Sequence, residues 1–239
     1  MALNILHIPV NFGCEIGHLW YIYMLIGLYL VTPIISPWLQ QASKRELEGY
    51  LGLWIITTFL PYIHLVYPEV LGEAFWNDTP LLYYFTGFIG YFILGYYLKR
   101  FGYPSAALSW IILIVGFALS AGIFCSRIDT VPTVPELELS WGFCTVNVFL
   151  MTLGLFSLIG RLSLKGKNAA CKLLSDISIK SYGMYLAHIL FLNFYYGLFK
   201  SISDAAYVTI PLIAVCTFIT VYIFVYLLSY LPKSKYIIG

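Results

Sequence analysis

Charge is the first thing this chain lacks. Of its 239 residues only 10% are Asp, Glu, Lys or Arg, against 61% apolar or aromatic, and the mean hydropathy is +0.86. A soluble domain carries about 25% charged and about 45–50% apolar residues, so this composition cannot cover a water-facing surface, and the expected solvent is lipid. The net charge of +2 is thinly spread, leaving no basic stripe to follow a nucleic-acid backbone. Five cysteines, Cys14, Cys125, Cys144, Cys171 and Cys216, form no CxxC pair. Neither a zinc site nor a disulfide framework is signalled, no metal is expected, and most of the thiols read as buried small hydrophobes. No Lys or Arg precedes the first apolar stretch, which Pro9 and Asn11 interrupt, so the start does not read as a secretory signal and membrane entry falls to the internal runs. GxSxG, HExxH, Walker and glycine-rich dinucleotide motifs are all missing. So is an inverted repeat of the transporter kind.

What is present is a series of apolar runs, each ending in charge, Pro or Gly: 19–39, 48–67, 81–98, 106–125, 138–160, 177–199 and 206–231. A transmembrane helix needs roughly 20 mostly apolar residues, so seven spans with short loops fill the chain. The runs are continuous and lack the alternation of barrel strands. The predicted fold class is therefore all-α, a polytopic integral membrane protein of about seven transmembrane helices in a single domain. Lys44, Arg45, Lys99, Arg100, Arg161, Lys165, Lys167, Lys172, Lys180, Lys233 and Lys235 fall on one side of this alternation, and only Arg127 and Lys200 on the other. The positive-inside rule then puts the N-terminus outside and the C-terminus in the cytoplasm. Trp76, Tyr67, Tyr83 and Tyr84 suit an interfacial belt beside the acidic Glu69, Glu73 and Asp78. No Asp, Glu, Lys or Arg sits at the centre of a run, which argues against a channel or pump. The last run has no Lys for a retinal Schiff base.

Polar residues inside the runs are the functional candidates. His188 lies about ten residues into the sixth run, roughly 15 Å along a helix, and Ser181, Tyr185, His188 and Tyr195 share one helical stripe. Two readings fit. The stripe is a proton-handling or substrate-orienting surface, or Tyr and His satisfy each other between packed helices. His18 stands at the outer mouth of the first run, near Tyr21, and doubles as an interfacial residue; His64 follows a helix-kinking Pro61 and reads as structural. Asn147 and Thr86 read as glue between helices, and Gly87, Gly90 and Gly95 as sites of close backbone approach. Lys99, Arg100, Arg161, Lys165 and Lys167 could meet phosphates of a nucleotide-like cofactor, although topology alone accounts for cytoplasmic bases.

Two of these runs carry familiar patterns. GHLWYIYMLIGLYLVTPIISPWL (17–39) has an HLW entry leading into a tyrosine-rich span that ends in a TP turn, and SDISIKSYGMYLAHILFLN (175–193) has an S-[YF]-G-x-Y-L-x-H core. In order and separation they resemble the mid-chain and penultimate helices of the acyltransferase 3 family, in particular the bacterial O-acetyltransferase branch that modifies surface polysaccharides. That family has ten helices with both ends in the cytoplasm. The resemblance thus implies that this chain corresponds to the C-terminal seven helices. It also implies an acyl-CoA donor, commonly acetyl-CoA, a hydroxyl acceptor on a carbohydrate, and a bacterial inner membrane. The family's proposed catalytic His and Arg lie on its first helices, and no segment here matches them. What the resemblance leaves is His18 and Tyr21 at the outer mouth, Tyr185 and His188 in the core, and Lys99, Arg100 and Arg161 toward CoA phosphates. The alternative is a non-enzymatic membrane protein, either a small-molecule transporter or an inactive fragment. A seven-helix receptor would need more cytoplasmic loop than these runs leave.

Overall fold

A computed structural model describes residues 20–67, 70, 82–162, 169–200, 205–232 and 234. All regular structure among them is helical: α1 (Trp20–Gln41), α2 (Lys44–Thr57), α3 (Leu60–Ile63), α4 (Phe88–Phe101), α5 (Ala106–Arg127), α6 (Val134–Leu137), α7 (Val146–Gly160), α8 (Ala169–Phe199) and α9 (Ala206–Leu228). Every predicted run holds a helix. Three of these, α1, α5 and α9, are long and apolar enough to cross a membrane, and α7 is a shorter apolar helix. Large apolar side chains such as Leu30, Ile34, Phe117 and Ile210 stand exposed along them. In lipid such surface needs no cover.

Several expected runs are shorter as helices than as apolar stretches, and two of them show why. The 48–67 run is broken rather than kinked: α2 stops at Thr57 and α3 starts at Leu60 with Pro61 in its first turn. Proline has no N–H and its ring crowds the preceding turn, so the helix ends before it. The hydroxyls of Thr57 and Thr58 donate to Trp54 O and Ile55 O at 2.6 Å, and Thr58 O accepts from the Val146 N–H at 3.1 Å. A carbonyl released by the break thereby satisfies an orphan amide at the start of α7. Likewise the 138–160 run starts as a helix only at Val146. Residues Glu138–Ser140 form a 3-10 turn ahead of it.

The chain divides into two compact units. One is Met24–Ser163; the other takes in the described parts of Met1–Tyr23 and Leu164–Gly239. In the first unit the core gathers Leu39, Leu47, Leu51, Trp54, Ile93, Leu94, Leu98 and Phe149. Trp54 is fully buried, stands edge-on to Tyr91 and Phe149, and donates through Nε1 to Gly87 O at 3.0 Å. Gly90 is what makes room for it, since a Cβ there would lie 2.1 Å from the indole. Of the three glycines expected at close approaches, Gly90 alone meets a neighbour, and that neighbour is a side chain. Gly95 meets nothing within 4 Å, and Gly87 is needed for its φ of +81° at the start of α4. That left-handed conformation is one glycine adopts at little cost.

A second contact in this unit is backbone on backbone. α5 and α7 pack antiparallel, with Gly116 against Asn147 and Met151 and Gly154 against Ser109 and Leu113. Small residues let helices approach closely where lipid offers no hydrophobic drive to associate. Asn147, fully buried, closes the top of this pair: its Nδ2 donates to Ser120 Oγ at 2.6 Å and Ser140 O at 2.8 Å, while Tyr62 OH donates to its Oδ1 at 2.6 Å.

α2 opens on a capping box. Ser43 Oγ accepts from the Glu46 N–H at 3.3 Å, and the Glu46 carboxylate accepts from the Ser43 hydroxyl at 2.6 Å and backbone N–H at 2.7 Å. The hydroxyl contact first, and then the amide, hold the Glu46 carboxyl below its ordinary pKa. A carboxylate with a depressed folded pKa stabilises above its unfolded value and loses that contribution as pH falls through the folded one. The Glu46 carboxyl is therefore expected to titrate below a free glutamate, and the start of α2 to fray as it does. Ser43→Ala, which removes the hydroxyl and keeps the backbone N–H, should raise the titration toward the ordinary range, which NMR of a side-chain-labelled sample would read. An unchanged titration would refute the box.

The described cysteines depart from expectation. Cys125 is exposed and Cys144, Cys171 and Cys216 are half-buried. In a bilayer an outward-facing thiol meets hydrocarbon as an inward one does, so burial is not selected.

Candidate functional site

The penultimate-helix stripe lies on α8, in the second unit. α8 begins at Ala169, well before the apolar run, and spans 31 residues. Three of its four stripe residues, Ser181, Tyr185 and His188, line a groove of about 410 Å³ against α9. Ile177, Met184 and Leu192 complete its α8 wall, and Ala214, Thr217, Phe218 and Val221 form the α9 wall. The volume lies in the range of small-ligand sites. Tyr195 is outside this lining: its hydroxyl pairs with Thr220 Oγ1 on α9 at 2.8 Å. One stripe therefore serves two purposes, an interhelical bond at one end and a groove wall along the rest.

His188 Nδ1 lies 2.5 Å from Tyr185 O. A carbonyl only accepts, so Nδ1 carries the proton, and in the neutral ring the basic lone pair is on Nε2. The Tyr185 ring lies 5.5 Å from the imidazole and 5.2 Å from the ring of Tyr21, edge-on. Ser181 Oγ donates back to Ser178 O at 2.8 Å. Tyr21 and Tyr185 are thus brought together, as a common site would need. His18 lies outside the described residues.

Residue-by-residue reading missed one feature of this unit. Lys180 is the twelfth residue of α8 and nearly buried, although no charge was expected so far inside a helix. Its ammonium pairs with Asp176 one turn earlier and sits 5.2 Å over the Tyr226 ring; Tyr222 donates to Asp176 Oδ2 at 2.7 Å, and Tyr230 to Tyr226 OH at 2.7 Å. The i,i+4 Asp–Lys spacing was the available signal. The carboxylate and the ring offset part of the desolvation cost that made a buried lysine unexpected.

The three basic candidates lie in the first unit, all at one end of it. Arg100 Nη1 donates to Leu39 O at 3.0 Å and Ala42 O at 3.1 Å, where α1 ends, and its guanidinium lies 5.1 Å from the Phe101 ring. Arg161 donates through Nε and Nη2 to Pro104 O and Tyr103 O, at 2.8 Å in each case. Lys99 is exposed. The 40–48, 99–105 and 161 segments, counted together as basic loops, are therefore neighbours. The opposite end holds the bonds from Tyr62 to Leu139 and from Tyr91 to Phe143. His64 Nε2 is 2.7 Å from Val70 O, a loop contact.

Among the described residues no group of three metal-ligating side chains comes together. No curated protein and no solved structure matches the chain. A family model does: that of the acyltransferase domain of the acyltransferase 3 family matches residues 9–230. That match takes in both motif-bearing helices, the groove and the basic end, and the chain belongs to the acyltransferase 3 family of membrane acyltransferases.

Proposed function

We propose that the protein takes part in transferring an acyl group, acetyl in the simplest case, from acyl-CoA to a hydroxyl of a surface carbohydrate at a bacterial cytoplasmic membrane. The family match over residues 9–230 carries this reading. The groove on α8 supports it chemically. Its walls are apolar, and the imidazole of His188 and the phenol of Tyr185 stand on them as hydrogen-bonding groups able to orient a reacting hydroxyl or carbonyl. In this reading His188 and Tyr185, with His18 and Tyr21 toward the outer face, orient the acceptor. Lys99 and the guanidinium donors of Arg100 and Arg161 not used on backbone carbonyls meet the CoA phosphates from the cytoplasm.

The test supplies membranes containing the protein with acetyl-CoA labelled in its acetyl group and follows label into lipid-linked and carbohydrate fractions. Protein-dependent transfer is expected, falling about 10- to 100-fold in His188→Ala, the worth of a hydrogen bond to a group bearing charge. If label stays on CoA while a small solute accumulates in sealed vesicles, the protein is a transporter and the proposal is lost.

A further inference from the structure

The α8 wall of the groove is bracketed by two side-chain bonds to α9. At one end Tyr222 donates to Asp176 Oδ2 at 2.7 Å; at the other the hydroxyls of Tyr195 and Thr220 share a bond of 2.8 Å. Every groove residue of α8, from Ile177 to Leu192, falls between Asp176 and Tyr195. Within these limits the two helices meet through Met184, Ala187, Val221 and Val225, all apolar. Apolar contact is non-directional, and in lipid it has no hydrophobic drive behind it. A hydrogen bond weakens steeply as its geometry departs from the optimum. The two brackets are therefore the contacts best able to resist a turn of α8 about its own axis.

The Asp176 bracket is itself braced. Its Oδ1 is held by the Lys180 ammonium, which lies 5.2 Å over the ring of Tyr226, whose hydroxyl accepts from Tyr230. Both carboxylate oxygens are thus engaged, one from each helix. A buried ion pair adds little stability over an apolar pair of the same volume, but it fixes direction. What the turn of α8 controls is the aim of its groove face. His188 Nδ1 is bonded to Tyr185 O on the same helix, so the imidazole turns with α8. On a helix of about 5–6 Å outer radius, a turn of about 10° carries a side-chain tip through about 1 Å, and misplacement of that size can cost about 100-fold in rate.

We infer that the Asp176–Tyr222 and Tyr195–Thr220 bonds form a two-point clamp that sets the turn of α8 and so positions His188 and Tyr185 for acyl transfer. Asp176, Tyr195, Thr220 and Tyr222 are positioning residues, acting through the groove face they hold. The inference rests on the acyltransferase reading, in which His188 orients a reacting group.

The test uses the full chain in native membranes with labelled acetyl-CoA as donor, and rates are taken per folded protein. Tyr222→Phe and Tyr195→Phe each remove one hydroxyl and keep the ring. Each is expected to lower kcat about three- to tenfold and to leave KM for acetyl-CoA within about twofold, because the basic side chains assigned to CoA lie in the other unit. Together they should lower kcat by more than the product of the single effects, since either bracket alone still limits the turn. Thr220→Val should match Tyr195→Phe, and Thr220→Ser, which keeps a hydroxyl, should restore most of the rate. In a His188→Ala background Tyr222→Phe should cost nothing further; a loss of the same size there would overturn the inference.

A second measurement does not depend on activity. Spin labels at the exposed positions 179 and 215, introduced as Ile179→Cys and Val215→Cys with the native cysteines replaced by alanine, should give a narrow distance distribution that broadens when Tyr222→Phe and Tyr195→Phe are combined. An unchanged distribution would overturn the clamp, and broadening with unchanged transfer would overturn its positioning role. A parent that transfers no label would defeat the acyltransferase reading and the positioning role with it, while the distances would still show whether the clamp itself stands.

Discussion

Gly154→Leu is expected to leave almost no correctly folded protein. A Cβ at position 154 would lie 2.7 Å from both Leu113 N and Ser109 O, and one at Gly116 would lie 2.7 Å from Met151 N. These neighbours are backbone, so no rotamer change can make room, and the α5 and α7 axes would have to separate. Overpacking a well-packed contact costs about 1–3 kcal/mol, occasionally more. Gly154→Ala is expected near the top of that range and Gly154→Leu beyond it, against a total stability of only about 5–15 kcal/mol for a domain. Thermal melts in detergent, followed by size-exclusion of a fluorescent fusion, would read both. Gly122, on α5 with Gly116 but with nothing within 4 Å of an added Cβ, is the control: Gly122→Ala should be neutral or slightly stabilising. Gly116→Ala combined with Gly154→Ala should cost less than their sum, because the first change already parts the helices. A Gly154→Leu protein that melts like the parent would show that the two helices do not pack this way.

Asn147→Ala is the second large effect. The side chain makes three hydrogen bonds, to Ser120, Ser140 and Tyr62, at a position with no exposure at all. Removing it leaves Ser120 Oγ and Ser140 O short of a donor in a site that water does not reach. At about 1–3 kcal/mol for each buried group left unsatisfied, the loss is expected to be about 3 kcal/mol or more. Asn147→Asp keeps the shape and discriminates the cause. The carboxylate can still accept from Tyr62 but cannot donate to Ser120 or Ser140, and it brings a buried charge. It should be at least as damaging as alanine. If Asn147→Asp proved harmless in the same melts, packing volume rather than hydrogen bonding would be what the residue supplies.

Much of the architecture was legible because lipid makes one property dominant. Charge scarcity and run length placed a helix in every expected run. The breaks were less legible. Pro61 announced a disturbance, but whether a proline kinks or ends a helix depends on partners such as Val146, 88 positions away from Thr58. Burial also failed as a guide for the cysteines, since in lipid an apolar residue gains little by turning inward. At the candidate site the stripe of Ser181, Tyr185 and His188 was readable from helical spacing on one strand of sequence. The α9 wall opposite it, Thr217 included, was not, because which helix packs against the stripe is decided by tertiary structure and not by spacing along α8. Lys180 fell between the two: its spacing from Asp176 was visible, yet it was counted with the loop, since the helix begins eight residues ahead of the apolar run that marked it.

The carbonyl of Thr58 also bears on biosynthesis. Its partner amide belongs to Val146, which leaves the ribosome 88 residues later, a delay of roughly 4–18 s at about 5–20 residues per second. During that interval the broken end of α2 has an acceptor ready and nothing to receive. The later helix therefore arrives at a template already set, and its first amide is satisfied on docking. A chain shuffled so that α7 preceded α2 would keep every contact of the finished fold while reversing which partner must wait.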